Sequence, residues 1–256
     1  MTAATTFEKS KTLVGYLPAG FPDKATAIAG AVAMAEAGAG VIEIGLPYSD
    51  PLMDGPVIAD AVHQALTGGT RIKDVLDTVE AVAATGAQVL IMTYWNPVDH
   101  YGVHRFAADL ANAGGAGLIT PDLTPEEAGD WLAASDEHGL DRVFLVAPSS
   151  TEERIKSITA VCRGFVYAAS LMGTTGTRDA VSGDAAGLVA RTKNYTTLPV
   201  AVGLGVKDRA QAREVAQFAD GVIVGTAFVR ALSGPGGVDA VRALAADLAQ
   251  GVTEAR

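Results

Sequence analysis

Three carboxylates crowd into one short stretch of this chain, EIGLPYSDPLMDGP at residues 43–56. Glu43 sits inside the apolar run Val41–Gly45, and Asp50 and Asp54 follow in a segment rich in Pro and Gly. A charge in a buried strand costs free energy unless it is paired, solvated or neutralised. Burial raises a carboxyl pKa, and a raised pKa suits proton transfer near neutral pH. The competing reading of Glu43 is a structural carboxylate held in a salt bridge. Asp54 precedes Gly55, and Asp-Gly is a common turn pair, so a turn role stands beside a chemical one. Asp50, just before Pro51, reads as a turn-shaping residue, with Tyr48 and Ser49 as loop-packing or hydrogen-bonding groups.

Glycine clusters late in the chain point to a second kind of chemistry. They are Gly173-Thr174-Thr175-Gly176, Gly203-Leu204-Gly205 and Gly225-Thr226, the last opening a helical run. Glycine lets backbone N–H groups approach an anion closely, and a helix N-terminus adds a favourable dipole. Gly176, Gly205, Gly225 and Thr226 are therefore candidate phosphate contacts. Ordinary tight turns use the same residues and remain the alternative.

Other chemistries lack the residues they need. His100 and His104 are four apart, but Gly102 lies between them in a loop-like setting and no third ligand has matching spacing. A Schiff-base lysine belongs near a strand end in mid-barrel. The seven lysines fall in expected helices, loops or strand entrances, with Lys207 the nearest approach. Cys162 has no partner base, and no GxGxxG follows the first strand, so a dinucleotide fold is unsupported.

These groups must be positioned by the elements around them. Short apolar runs occur at Leu13–Leu17, Val41–Gly45, Val89–Thr93, Gly117–Thr120, Arg142–Ala147, Phe165–Ala169, Pro199–Gly203 and Gly221–Gly225. They are nearly continuous rather than alternating, as suits parallel strands covered on both faces. Helical segments lie between them at Lys24–Ala37, Ile72–Ala84, Val103–Ala113, Pro125–His138, Glu152–Val161, Ala185–Tyr195, Asp208–Phe218 and Val238–Gln250. Strand–helix alternation repeated eight times predicts an α/β fold, a closed (β/α)8 TIM barrel spanning 1–256 as one domain. An open doubly wound sheet is the architectural alternative. Active sites of such barrels lie at the carboxyl ends of the strands. Side chains alternate along a strand, so if Ile42 and Ile44 pack under helices, Glu43 points inward.

Bulk composition narrows the partners. A length of 256 residues, 49% hydrophobic, can bury a large core. A net charge of −10 disfavours nucleic-acid binding. No signal peptide or membrane-spanning run is apparent, and one cysteine fits a reducing compartment, so a soluble cytoplasmic protein is expected.

The motifs, taken in order, resemble a known family. EIGLPYSDPLMDGP, MTYWNP at 92–97, Pro121-Asp122-Leu123, Tyr167 with SLMGTTG at 170–176, GLGV at 203–206 and VGTAFV at 224–229 look like those of the tryptophan synthase α subunit. The first motif is highly specific; the glycine motifs are shared with other phosphate-binding barrels. The resemblance implies a lyase that cleaves indole-3-glycerol phosphate to indole and glyceraldehyde 3-phosphate by a retro-aldol step, with no metal, Schiff base or cofactor of its own. It implies Glu43 as general acid and base, Asp54 as acceptor of the indole N–H, and Tyr167 as an orienting group. It also implies that Gly176, Gly205, Gly225 and Thr226 hold the phosphate. The implied partner is a pyridoxal-phosphate β subunit that receives indole through a tunnel, in an α-β-β-α assembly. Leu171, Leu204, Phe21 and Thr226 depart from residues common in the family, and none removes a proposed catalytic group. Two further functions fit the same residues: a stand-alone lyase releasing free indole, or a catalytically weak subunit that activates a β partner.

Overall fold

The computed structural model describes residues 3–8, 10–170 and 178–255, of 178–183 the backbone alone. Eight parallel strands close into a barrel, each paired with its sequence neighbours and the last with the first. They are β1 (Thr12–Pro18), β2 (Val41–Gly45), β3 (Gln88–Met92), β4 (Gly117–Thr120), β5 (Asp141–Val146), β6 (Val166–Ala169), β7 (Val200–Gly203) and β8 (Gly221–Val224). Each lies within a residue of its expected run, and the open-sheet alternative is excluded by the β1–β8 pairing.

Helices α1 (Ala4–Phe7), α2 (Lys24–Glu36), α3 (Pro56–Thr67), α4 (Ile72–Ala83), α5 (Trp95–Tyr101) and α6 (Val103–Asn112) flank the first half. Then come α7 (Gly129–His138), α8 (Glu152–Val161), α9 (Arg178–Lys193), α10 (Arg209–Val215), α11 (Thr226–Ser233) and α12 (Gly237–Thr253). Side chains start several of them: Asp23 accepts from the Thr26 N–H, Thr151 from Arg154 and Asp208 from Gln211. Each satisfies a donor that the first helical turn leaves free.

Two local expectations are corrected and one further helix appears. The helix placed at Pro125 begins at Gly129, because residues 124–127 form a turn closed by the Glu127 N–H on the Thr124 carbonyl. The segment after Asp54 is a full helix, α3, with Pro56 in its first turn. The His100 and His104 segment is helical rather than loop-like, since α5 ends at Tyr101 and Gly102, at φ 98°, turns the chain into α6.

Period-two alternation divides the strands between two layers. Ile42 and Ile44 join the core beneath the helices with Phe106, Trp131 and Phe228. Val14, Val41, Leu90, Ile119, Val143 and Ile223 fill the barrel's lower interior. The chain start closes the amino end from below. Ala3 and Phe7 pack into that interior, Phe7 lies 5.3 Å from the Phe165 ring, and the Ala3 N–H donates to the buried Asp141 carboxylate at 2.6 Å. Among the described residues no helix is long and apolar enough to cross a membrane.

Barrel closure depends on backbone approach at Gly117. A Cβ there would lie 2.6 Å from the Asp141 carbonyl carbon and 2.7 Å from its nitrogen. Backbone cannot yield as a side-chain tip does, so Gly117→Ala is expected to cost about 3 kcal/mol, within the range for overpacking. A urea unfolding midpoint equal to the parent's, at the same slope, would contradict this contact.

Candidate functional site

The inward face of β2 carries Val41 at the floor and Glu43 above it. Glu43 is 1% exposed, and its Oε1 finds no hydrogen-bond partner among the described residues. The salt-bridge reading therefore gains no support. Desolvation pushes its carboxyl pKa up to about 8. At pH 7 the group is largely protonated and has a proton to give. An orphaned buried oxygen is costly in a native protein, and chemistry is one reason to keep it.

Aromatic side chains wall this carboxyl in. Tyr16 on β1 is in register with Glu43 on β2, so the two project from adjacent strands at the same level. The Tyr16 ring occupies space that a side chain at Gly45 would need, its hydroxyl crowding the place of a Cβ. Burial raises the Tyr16 phenol well above its ordinary value, and the Asp54 and Glu43 carboxylates add to the rise. Tyr167 on β6 is half-buried, and its phenol is likewise raised by burial and then by Glu43 and Asp54. A Cβ at Gly203 would lie 2.6 Å from the Tyr167 hydroxyl, which places that hydroxyl at the end of β7.

Asp54 reaches the same space from the loop at residues 46–55. It is half-buried, and burial lifts its carboxyl to about 6, below Glu43. With Tyr16, Met92, Thr93, Tyr94 and Pro121 it lines a cavity of about 20 Å³, space for a single water. A larger hollow of about 650 Å³ opens on the other side of this loop, between Tyr48, Ile72, Asn96 and Tyr101, and neither carboxylate lines it. Asp54 lines the smaller space while Glu43 lies buried outside its lining, and the two carboxyls share the Tyr16 and Tyr167 phenols as neighbours, which marks this end of the strands as the candidate site. Asp50 is exposed and accepts the Ser49 hydroxyl at 2.6 Å, consistent with a role in shaping the loop.

The anion candidates lie at the carboxyl ends of the last strands. Gly205, exposed and at φ 70°, turns the chain after β7, a conformation that disfavours a side chain. Gly225 precedes α11 with no side-chain cap, so the first-turn N–H groups, starting with Thr226, are available to a ligand. Gly176 lies outside the described residues, as do Leu171 and the rest of the cluster at 173–176. The structure thus sets Glu43 and Asp54 close enough for both to act on the Tyr167 phenol, with Gly205, Gly225 and Thr226 at the same end of the barrel. Sequence reading missed Tyr16 and Tyr94. An aromatic residue in an apolar strand looks like core, and only cross-strand register sets Tyr16 beside Glu43.

Known proteins match this chain over most of its length. The family model described as "Tryptophan synthase alpha chain" matches residues 2–253. The tryptophan synthase alpha chain of Nocardia farcinica is 58% identical over 248 residues, covering 97% of this chain and 92% of that one. That of Acidothermus cellulolyticus is 62% identical over 242 residues, covering 94% and 91%. A crystal structure of tryptophan synthase from M. tuberculosis, in an aminoacrylate-bound form, superposes with a TM-score of 0.91 at 51% identity, covering 98% of this chain and 100% of that chain. A mutant alpha-subunit from Pyrococcus furiosus superposes at 0.83 with 34% identity, covering 93% and 96%. Matched along nearly its whole length in both sequence and fold, the chain belongs to the tryptophan synthase alpha chain family.

Proposed function

We propose that this chain cleaves indole-3-glycerol phosphate into indole and glyceraldehyde 3-phosphate. The family makes it a lyase of tryptophan biosynthesis. The observation that carries the specific reaction is the buried Glu43 carboxyl, protonated near neutral pH and flanked by a second carboxyl of lower pKa. Two carboxyls whose environments push their pKa values apart take different roles.

In this mechanism Glu43 donates its proton to C3 of the indole ring, and the positive charge spreads to the ring nitrogen. Asp54, ionised at pH 7, accepts the indole N–H and stabilises that charge. The Glu43 carboxylate then takes the proton of the side-chain hydroxyl next to C3. The carbonyl forms, the C–C bond breaks, and its electron pair returns to the ring. Glu43 ends protonated, as it began, so protons and electrons balance. Tyr167 orients Glu43 or the substrate. The Gly205 turn and the α11 start at Gly225 and Thr226 hold the phosphate, with Gly176 completing that site.

The chain works without a cofactor of its own, in the cytoplasm, with a β subunit that carries pyridoxal phosphate, in an α-β-β-α assembly. Exposed apolar side chains at the site support a partner there: Leu52 is 89% exposed and Met53 56%. Indole release by the purified chain, with and without a β subunit, tests the whole reading. Slow release alone and faster release with the partner is the expected result. Absence of indole in both arms would refute it.

A further inference from the structure

Tyr94 follows β3, and its phenol reaches across to the loop that carries Asp54. The Met53 N–H donates to the Tyr94 Oη at 2.8 Å. The side chains at the loop tip are exposed, so packing of Leu52 and Met53 does little to hold it. The Tyr94 ring also lies 5.5 Å from the Tyr48 ring on the loop's other limb. The Tyr48 hydroxyl accepts from Asn96 Nδ2 at 3.2 Å. Both limbs are thus fastened to one short stretch, 94–96. Asp122 fixes that stretch in turn, its carboxylate accepting the Trp95 N–H at 2.9 and 3.1 Å.

We infer that Tyr94, through its hydroxyl, is a positioning residue for Asp54: it grips the N–H of Met53, the residue before Asp54, and keeps that carboxylate inside the barrel mouth. The inference rests on the role given to Asp54 above. A carboxylate gains solvation by leaving a half-buried site, so a loop without this grip swings outward. One neutral hydrogen bond shifts such an equilibrium by about five- to tenfold.

The test is Tyr94→Phe in the full chain, which keeps the ring against Tyr48 and removes the acceptor. Without ligand, the Met53 amide is expected to exchange about five- to tenfold faster than in the parent. The Asp54 side-chain carboxyl, followed by 13C NMR, is expected to titrate lower, moving from about 6 toward 3.8. The groups facing it are Tyr16 on β1, Glu43 on β2, Tyr94 itself and Tyr167 on β6. All of these titrate at about 8 or above, so a movement below 6 reports Asp54's own exposure. With the β subunit present, kcat for indole release is expected to fall about five- to tenfold while KM stays within about twofold.

Unchanged Met53 exchange and an unchanged Asp54 midpoint would overturn the inference, as would both moving with kcat intact. An unprotected Met53 amide in the unaltered chain would overturn it without any variant. A parent chain that releases no indole would instead refute the lyase reaction, and the ligand-free measurements would still decide the grip.

Discussion

Glu43→Gln is expected to lower indole release by about a thousandfold, in the range lost with a general acid–base group. Glutamine keeps the shape of the side chain but can neither give the proton to the ring nor take one from the hydroxyl. The parent's kcat/KM should fall as pH rises through about 8, where Glu43 ionises in the free enzyme. The variant's residual rate should lose that alkaline limb. Retention of more than a tenth of the parent rate would remove Glu43 from the mechanism.

The same substitution should make the protein more stable at alkaline pH. The folded-state pKa of about 8 lies above the ordinary value of 4.5, so between them the native state holds a proton that the unfolded state has released. Stability linked to this group is fully present below about 4.5 and lost as pH rises through about 8. The slope is about 1.4 kcal/mol per pH unit in that window. Glutamine cannot ionise, so the variant should outlast the parent in urea at pH 9 and show a flatter stability profile. Loss of activity with gain of stability would identify a carboxyl kept for its chemistry at the fold's expense.

Asp54→Asn is the second large effect expected, a fall in kcat of about a hundredfold or more, comparable to loss of one preorganised charge-stabilising group. An amide can still accept the indole N–H but brings no negative charge to the forming cation. KM should move little, because the charge appears only after the ring is protonated. A variant that raises KM with kcat intact would make Asp54 a binding residue alone. Replacing both carboxyls should cost less than the product of the single losses, since they act on one intermediate.

The barrel was legible because its strands are almost unbroken apolar runs, and that background made Glu43 conspicuous. Side-chain alternation gave its direction. Sequence could not supply what lies beside it, since cross-strand register and loop path bring Tyr16, Tyr94 and Asp54 together from distant positions. Helix α3 escaped notice because Asp-Gly-Pro reads first as a turn, although Gly55 and Pro56 are also a helix start. Helix α5 escaped for the opposite reason: its seven residues are too few to display a period. The phosphate end was readable only as a pattern of glycines, and which N–H groups face an anion depends on backbone angles that a pattern does not fix.

Phe7 and Ala3 have a consequence for traffic. With Val14, Val41, Leu90, Ile119, Val143 and Ile223 they pack the barrel's amino end with apolar side chains. On the function proposed above, substrate and products then pass at the carboxyl end of the strands. A neighbour seated at that rim and drawing product away would quicken the chain without touching Glu43.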